Sequence, residues 1–389
     1  MSRIVYFDNA ATSHPKPESV YQAVDHFQRE VGASPGRSGH SLAMEAGRIV
    51  LEARQRLAEL LNVADPARVI FTPSCTEAIN LAVKGLVRPG DHVVTSGVEH
   101  NSVMRPLRRL EAEKVIDLTV VRCSPEGLLD PADVRGRLRP ETRLVVVTHA
   151  SNVVGTIQPV GDIGSVVRGH GAMLLVDAAQ SAGAVPVDMP GMGIDLLALS
   201  GHKNLLGPQG TGALAIGEGV ELTPLVEGGT GSRSQHERQP EHLPDRYESG
   251  TMNAPGIAGL AEGVAYVRQR GPHSIQKALE RLTALALDEL ARTPGARVYG
   301  PGDPGKRTAV VSFTLDGKDV AAVGAILSER YGILTRAGLQ CSPGAHRTIG
   351  TFRRTGGTVR VSLGLFNSSE EVRYFGECLR QIQASAEGL

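Results

Sequence analysis

Apolar residues follow two rhythms along this 389-residue chain. Through the first two-thirds, short unbroken apolar runs alternate with stretches of helical period. The runs are RVIFT (68–72), HVVTS (92–96), LTVVR (118–122), LVVVT (144–148), MLLVD (173–177), IDLLALS (194–200) and TGALAIG (211–217). They are rich in β-branched and aliphatic residues and too short for helices, so each reads as a strand buried on both faces. With helices between them, seven such strands predict a mostly parallel α/β sheet. Helices are expected over 41–61, 76–87 and near 102–112. The first shows Leu42, Ile49, Val50, Ala53, Leu57 and Leu60 on one face. Asp130 followed by Pro131 opens a further helix as an N-cap with proline at the first helical position.

The rhythm changes after GTGSRSQHERQPEHLPDRYESGTMN (229–253), a long polar stretch without a period. Helices near 254–270 and 273–292, strands near 308–315 and 357–363, a helix at 319–331 and a last helix from Ser368 follow. Ser368 with Glu371 fits a capping box. The expected organisation is a large domain over 21–254 and a smaller α+β domain over 255–389, which an extended segment, 1–20, joins.

Composition narrows the function classes. Lys+Arg and Asp+Glu stand at 41 each, so no global field draws the chain to nucleic acid or an anionic membrane. No apolar run approaches the roughly 18 residues of a span, and MSRIVYFDNAATSH has no apolar region of a signal peptide. Cys75, Cys123, Cys341 and Cys378 form no CxxC metal or redox motif. A cytoplasmic protein with free thiols and no metal is expected.

The candidate chemistry follows the strands. Lys203 lies in SGHKNLLGPQGTG (200–212), a glycine-rich turn after IDLLALS, and Asp177 ends MLLVD. An amine able to form an imine, with a carboxylate able to pair a pyridinium nitrogen, is the minimum a pyridoxal-phosphate enzyme requires. Either residue alone reads equally well as a surface lysine or a helix-capping aspartate. The turn Ser74-Cys75-Thr76, between a strand and a helix, could cradle a phosphate on backbone N–H groups. His100, in TSGVEHNS, could stack on a ring and move protons, and Asn152 could donate to a ring hydroxyl or a carboxylate. Thr76, His100, Asn152, Asp177 and Lys203 all follow strands, where ligands of open parallel sheets sit. Farther on, RAGLQCSP (336–343) sets Cys341 in a Gly- and Pro-rich loop near Arg336, and a cationic neighbour favours a thiolate. Arg360 could hold a carboxylate with its two-pronged guanidinium.

YFDNAATSHPKP, SPGRSGHSLA, TEAIN, VEHNS, SNVVGT, VDAAQS, SGHKNLLGPQGTG, ESGTMN, RAGLQCSP and VRVSLGLFN run almost end to end through the chain. With them it resembles the cysteine desulfurase and selenocysteine lyase group of the class V aminotransferase family, fold type I pyridoxal-phosphate enzymes. The resemblance implies pyridoxal 5'-phosphate on Lys203, with Asp177 at the pyridine nitrogen, Gln180 at the ring hydroxyl and His100 stacked on the ring. Thr76, Ser200 and His202 would hold the phosphate, joined by Thr251 from the neighbouring subunit of a homodimer. His40, Asn152, Arg336 and Arg360 would line the substrate side. Cys341 falls at the sulfur-accepting thiol, which implies conversion of L-cysteine to L-alanine with a persulfide left for an acceptor protein. Within that mechanism His100 is expected to handle the substrate thiol proton. A selenocysteine lyase, an aminotransferase of the same family and a non-catalytic sulfur-carrier scaffold are the rival readings. Gln340 departs from the family pattern, which has histidine before the cysteine, and 342–359 is expected to form a basic lip.

Overall fold

The computed structural model describes residues 4–36, 38–232 and 235–385. A two-residue strand, β1 (Val5–Tyr6), and a helix, α1 (Glu18–His26), precede the long helix α2 (Ser41–Leu61). Seven strands then build one sheet: β2 (Val69–Thr72), β3 (Asp91–Ser96), β4 (Ile116–Val121), β5 (Thr142–Thr148), β6 (Met173–Asp177), β7 (Leu196–Ser200) and β8 (Gly212–Ile216). Their order is β2-β8-β7-β6-β5-β3-β4. All neighbours run parallel except β8, which is antiparallel to both β2 and β7. The α/β class and the mostly parallel seven-stranded sheet are therefore as the apolar runs predict.

Strand alternation divides the sheet's side chains between two cores. Val94, Val145, Val147, Leu174, Val176, Leu197 and Leu199 point to one. Val93, Leu144, Val146, Leu175, Leu196 and Ala198 point to the other. Helices α3 (Cys75–Leu86) and α4 (Asn101–Ala112) cover the second face. The first is covered by α2, α5 (Pro131–Arg135), α6 (Val160–His170) and α7 (Ala254–Arg270). Each aliphatic side chain so buried contributes about 1.5–3 kcal/mol.

The face of α2 differs from its leucine and isoleucine pattern. Leu42 is 46% exposed, and the buried stripe is Ala43, Ala46, Val50, Ala53, Leu57, Ala58 and Leu61, with Arg54 among them. The reason is the neighbour: α7 meets α2 with Ala254, Ile257, Ala258 and Ala261, and small residues on both sides let the helices approach closely. Arg54 is tolerated there because both guanidinium prongs reach Glu248, at 2.8 Å each. The boundary expected at 254/255 thus falls at the start of a helix that packs into the large core.

Helix α8 (Pro272–Ala291) leads into a second sheet, antiparallel throughout, in the order β12 (Arg336–Gly338), β13 (Thr358–Ser362), β10 (Val310–Leu315), β9 (Ala296–Tyr299). With α9 (Val320–Tyr331) and α11 (Ser369–Ala384) it encloses Val311, Phe313, Val361, Phe375 and Leu379. Ser368 and Glu371 form the expected capping box. The chain's opening segment is tied to this half: β1 pairs in parallel with β11 (Ile333–Leu334), and Asp8 bridges Ser362. RAGLQCSP is not the plain loop it resembles. Its first three residues are strand β12, and α10 (Pro343–Thr348) follows the cysteine at once. Among the described residues no helix is long and apolar enough to cross a membrane.

Candidate active site

Thr148 and Asp177 are register partners at the carboxyl ends of β5 and β6, and Asp177 pairs in turn with Ala198 of β7. The ends of β2 and β3 open on the same side. At this edge β8 passes so close to the Ser74–Cys75 turn that a Cβ on Gly212 would stand 2.6 Å from the Ser74 carbonyl carbon. Only glycine lets that turn sit on the sheet. Ser74 then caps α3, its hydroxyl accepting from Glu77 N at 3.2 Å.

Lys203 follows β7, half-buried as a residue, with its amine in the interior. Burial drives that amine below the ordinary lysine range, with the charge of Asp177 opposing. Asp177 is buried; its Oδ1 accepts from Ala179 N at 2.9 Å and from the Cys75 thiol at 3.4 Å. The Cys75 thiol, pushed far up by burial and then by Asp177, stays protonated. Ser200 is buried at the end of β7, and Thr76 stands exposed in the first turn of α3. Gln180 is buried, its Nε2 donating to Ala10 O at 2.9 Å, which leaves its carbonyl oxygen for a ligand.

His100 caps α4 through Nδ1, which accepts from Ser102 N at 3.0 Å. Burial, and then the cations Lys203, Arg336 and Arg105 against Asp177, lower it to about 4. The neutral ring therefore carries its proton on Nε2. With Nδ1 accepting from Ser102 N, Nε2 is the position from which His100 can donate a hydrogen bond. Burial, followed by Lys203 and Lys16, also lowers His202 to about 4.

Several polar atoms here lack partners. The buried His202 Nδ1 and Arg360 Nε have no hydrogen-bond partner. Unpaired buried polar atoms cost about 1–3 kcal/mol each, so the cluster suits a polar ligand. Its donor set fits pyridoxal phosphate: an amine for the aldehyde, a carboxylate for a protonated ring nitrogen, and a helix N-terminus with hydroxyls for the phosphate. Among the described residues no group of three or more His, Cys, Asp or Glu is arranged to hold a metal.

Cys341 lies opposite, exposed, in the turn between β12 and α10. Thr76, Asn80, Lys84, His100, Arg105 and Cys341 line one cleft of about 390 Å³. Arg336 Nη2 donates to the Cys341 sulfur at 3.6 Å. Gln340 and Cys341 both have positive φ, 43° and 61°, a conformation costing about 1–3 kcal/mol at each non-glycine residue. The surroundings hold it: Asn152 Nδ2 donates to Gln340 O at 2.6 Å, and Asn101 N donates to Cys341 O at 2.9 Å. Ser342 Oγ donates to Asn152 Oδ1 at 2.7 Å. Asn152 is thus largely spent on the cysteine turn, with one amide hydrogen left over. Gln340, far from facing the thiol, is buried with its amide turned inward.

Arg360 is 2% exposed, directly across from Arg336 on the adjoining strand. Its Nη2 pairs with Asp8 at 2.6 Å and its Nη1 donates to Asn152 O at 2.9 Å. The acid that orients it comes from the other end of the chain. Lys16, likewise unforeseen, donates to Ser13 Oγ at 2.9 Å beside the His202 carbonyl, and burial lowers its amine to about 8. Two expected residues are not gathered here. His40 caps α2 at the surface, its Nδ1 accepting from Ala43 N at 3.3 Å. Thr251, exposed, lines a separate cleft with Phe71, Pro73 and Glu77. Arg347, Arg353 and Arg354 of the expected basic lip are at the surface.

Known proteins share this architecture and sequence. A probable cysteine desulfurase of Methanothermobacter thermautotrophicus is 38% identical over 97% of this chain and 94% of its own. The apo structure of a cysteine desulfurase from Thermococcus onnurineus superposes with a TM-score of 0.89 at 33% identity, covering 97% of this chain and 94% of that one. An Escherichia coli cysteine desulfurase in an S-sulfonic acid form gives 0.86 at 26% identity, covering 97% and 94%. The class-V aminotransferase family matches residues 5–375. With nearly the whole chain so matched, this protein belongs to the class-V aminotransferase family, in its cysteine desulfurase group.

Proposed function

We propose that this chain is a pyridoxal-phosphate-dependent cysteine desulfurase that converts L-cysteine to L-alanine and keeps the sulfur on Cys341 as a persulfide. The observation that supports the reading is the place of His100: it lines one cleft with Cys341, an exposed thiol beside Arg336, and the charges of Lys203 and Asp177 act on the same imidazole. When bound, pyridoxal phosphate supplies an electron sink for the substrate's Cα–H and Cβ–S bonds.

The chain's own residues do the rest. Lys203 would hold the cofactor, and its amine, whose pKa burial lowers, would remove the Cα proton. Asp177 offers a carboxylate oxygen to the ring nitrogen, and Cys75 fixes the other end of that carboxylate. Ser200, His202, Thr76 and the first N–H groups of α3 hold the phosphate, with Thr251 reaching across from a second copy of the chain in a homodimer. His100 would stack on the ring and donate from Nε2, and Gln180 would serve the ring hydroxyl. Arg360, oriented by Asp8, takes the substrate carboxylate, with the remaining Asn152 hydrogen completing the substrate side. The Cys341 thiolate, beside Arg336, attacks the substrate sulfur. An S–S bond forms, the C–S bond breaks with its electron pair left on carbon, and protonation of that carbon gives alanine. Cys341 then holds one extra sulfur for a thiol-bearing acceptor protein in the cytoplasm.

Mass spectrometry after brief exposure to L-cysteine tests this. Cys341 gains one sulfur atom, and Cys341→Ala gains none and loses desulfuration of L-cysteine while still releasing alanine from L-selenocysteine. An unchanged Cys341 in an alanine-producing enzyme overturns the assigned acceptor.

A further inference from the structure

Behind the exposed thiol runs a buried chain of hydrogen bonds with a single direction. The Gln340 amide nitrogen donates to Thr358 O at 2.8 Å, which turns its carbonyl oxygen toward His346 Nε2, also 2.8 Å away. That oxygen can only accept, so His346 carries its proton on Nε2. His346 Nδ1 is then the acceptor for the Thr351 hydroxyl at 2.7 Å. The chain runs Thr351 to His346 to Gln340 to Thr358, and donors and acceptors aligned this way strengthen one another. Burial lowers His346 to about 4, which keeps the ring neutral and this tautomer in place. Thr358 in turn donates to Ser312 Oγ at 3.0 Å, and Ser312 to Val153 O at 2.6 Å, fastening the chain to the adjoining strand.

We infer that His346 is a positioning residue for sulfur transfer: by clamping the Gln340 amide from behind, it holds the left-handed Gln340–Cys341 turn that aims the thiol into the cleft. Neither residue is glycine, and neither side chain relieves a positive φ by itself, so the turn persists only while its surroundings determine it. Asn152 and Asn101 fix the two carbonyls; His346 fixes the side chain of the residue that enters the turn. The imidazole stands outside the reacting centre. Its contribution is geometric and falls on the one step that needs a nucleophilic thiol.

The inference rests on Cys341 as sulfur acceptor, so its test has one arm that needs no substrate. A nitroxide on Cys341, with Cys123 replaced by serine, reports the turn's motion by electron paramagnetic resonance. The wild-type background gives an immobilised spectrum, His346→Ala a mobile one, and His346→Gln, whose amide can replace the Nε2 donor, restores immobility. In the loaded enzyme, His346→Ala lowers sulfur transfer to Cys341 by roughly 10–100-fold. KM for L-cysteine stays the same, and so does alanine release from L-selenocysteine, which expels selenium without an attacking thiol. Gln340→Met, which keeps bulk and loses the amide's hydrogen bonds, reproduces the selective loss should His346→Ala fail to fold. Equal spectra in all variants, or equal losses with both substrates, overturn the inference. Absence of added sulfur on wild-type Cys341 with the mobility change intact overturns the functional reading instead, and leaves the clamp standing.

Discussion

The two sides of the cleft are built on opposite principles. Around Lys203 the side chains are short of partners: a buried His202 nitrogen and a buried Arg360 nitrogen have none. Around Cys341 the backbone is strained and the polar groups are saturated, from Thr351 through His346 and Gln340 to Thr358, with the thiol left exposed. A wall with unspent bonding capacity is suited to receive a cofactor. A wall that has spent its capacity on itself is suited to hold one atom still. The first supplies binding and the second supplies aim, and each can be damaged separately.

The largest effect should come from the receiving wall. Lys203→Ala removes the amine, so borohydride reduction with pyridoxal phosphate labels no peptide containing residue 203, and alanine production drops by at least about 10³-fold. Alanine still formed at the wild-type rate would contradict the assigned lysine. A smaller but cleaner contrast lies in the thiols. At pH 8 iodoacetamide should modify Cys341 while Cys75, buried and pushed far up, reacts ~100-fold more slowly or only after denaturation. Peptide mapping over time reads the order, and simultaneous labelling would dissolve the distinction between the walls. The smallest effect is on stability in acid. His346, and His149 behind the receiving wall, are buried and lowered to about 4 from an ordinary 6.5. The unfolded chain binds protons in that window and the folded chain does not, so their stabilisation is present above 6.5 and is lost as pH falls toward 4. The slope is roughly 1 kcal/mol per pH unit for each histidine. Denaturant titrations of His346→Gln should show that slope reduced by one histidine's share, and an unchanged slope would mean the ring is not held neutral.

Asp177 and Lys203 of the receiving wall were legible in the sequence because each comes at or after the end of an apolar run. MLLVD ends in Asp177 and IDLLALS leads to Lys203, so a parallel sheet carries them to one edge. The aiming wall was not. Gln340 and His346 look unremarkable in RAGLQCSPGAH, and their pairing exists only because Thr358, on another strand, fixes which way the amide faces. Asp8 was missed for a related reason: its arginine is Arg360, and nothing local to YFDNAA announces so distant a partner. Helix α2 shows the limit of pattern reading within an element. The eye follows Leu42 and Ile49, while the packing selects the alanines that let α7 approach.

The chain's first stretch pairs with Ile333 through Val5, grips Arg360 through Asp8 and donates to the His202 carbonyl through Ser13. It works as a drawstring threaded through both halves of the molecule, and because Val5 and Phe7 are fully buried in the second core, trimming it would loosen that core and the catalytic mouth together.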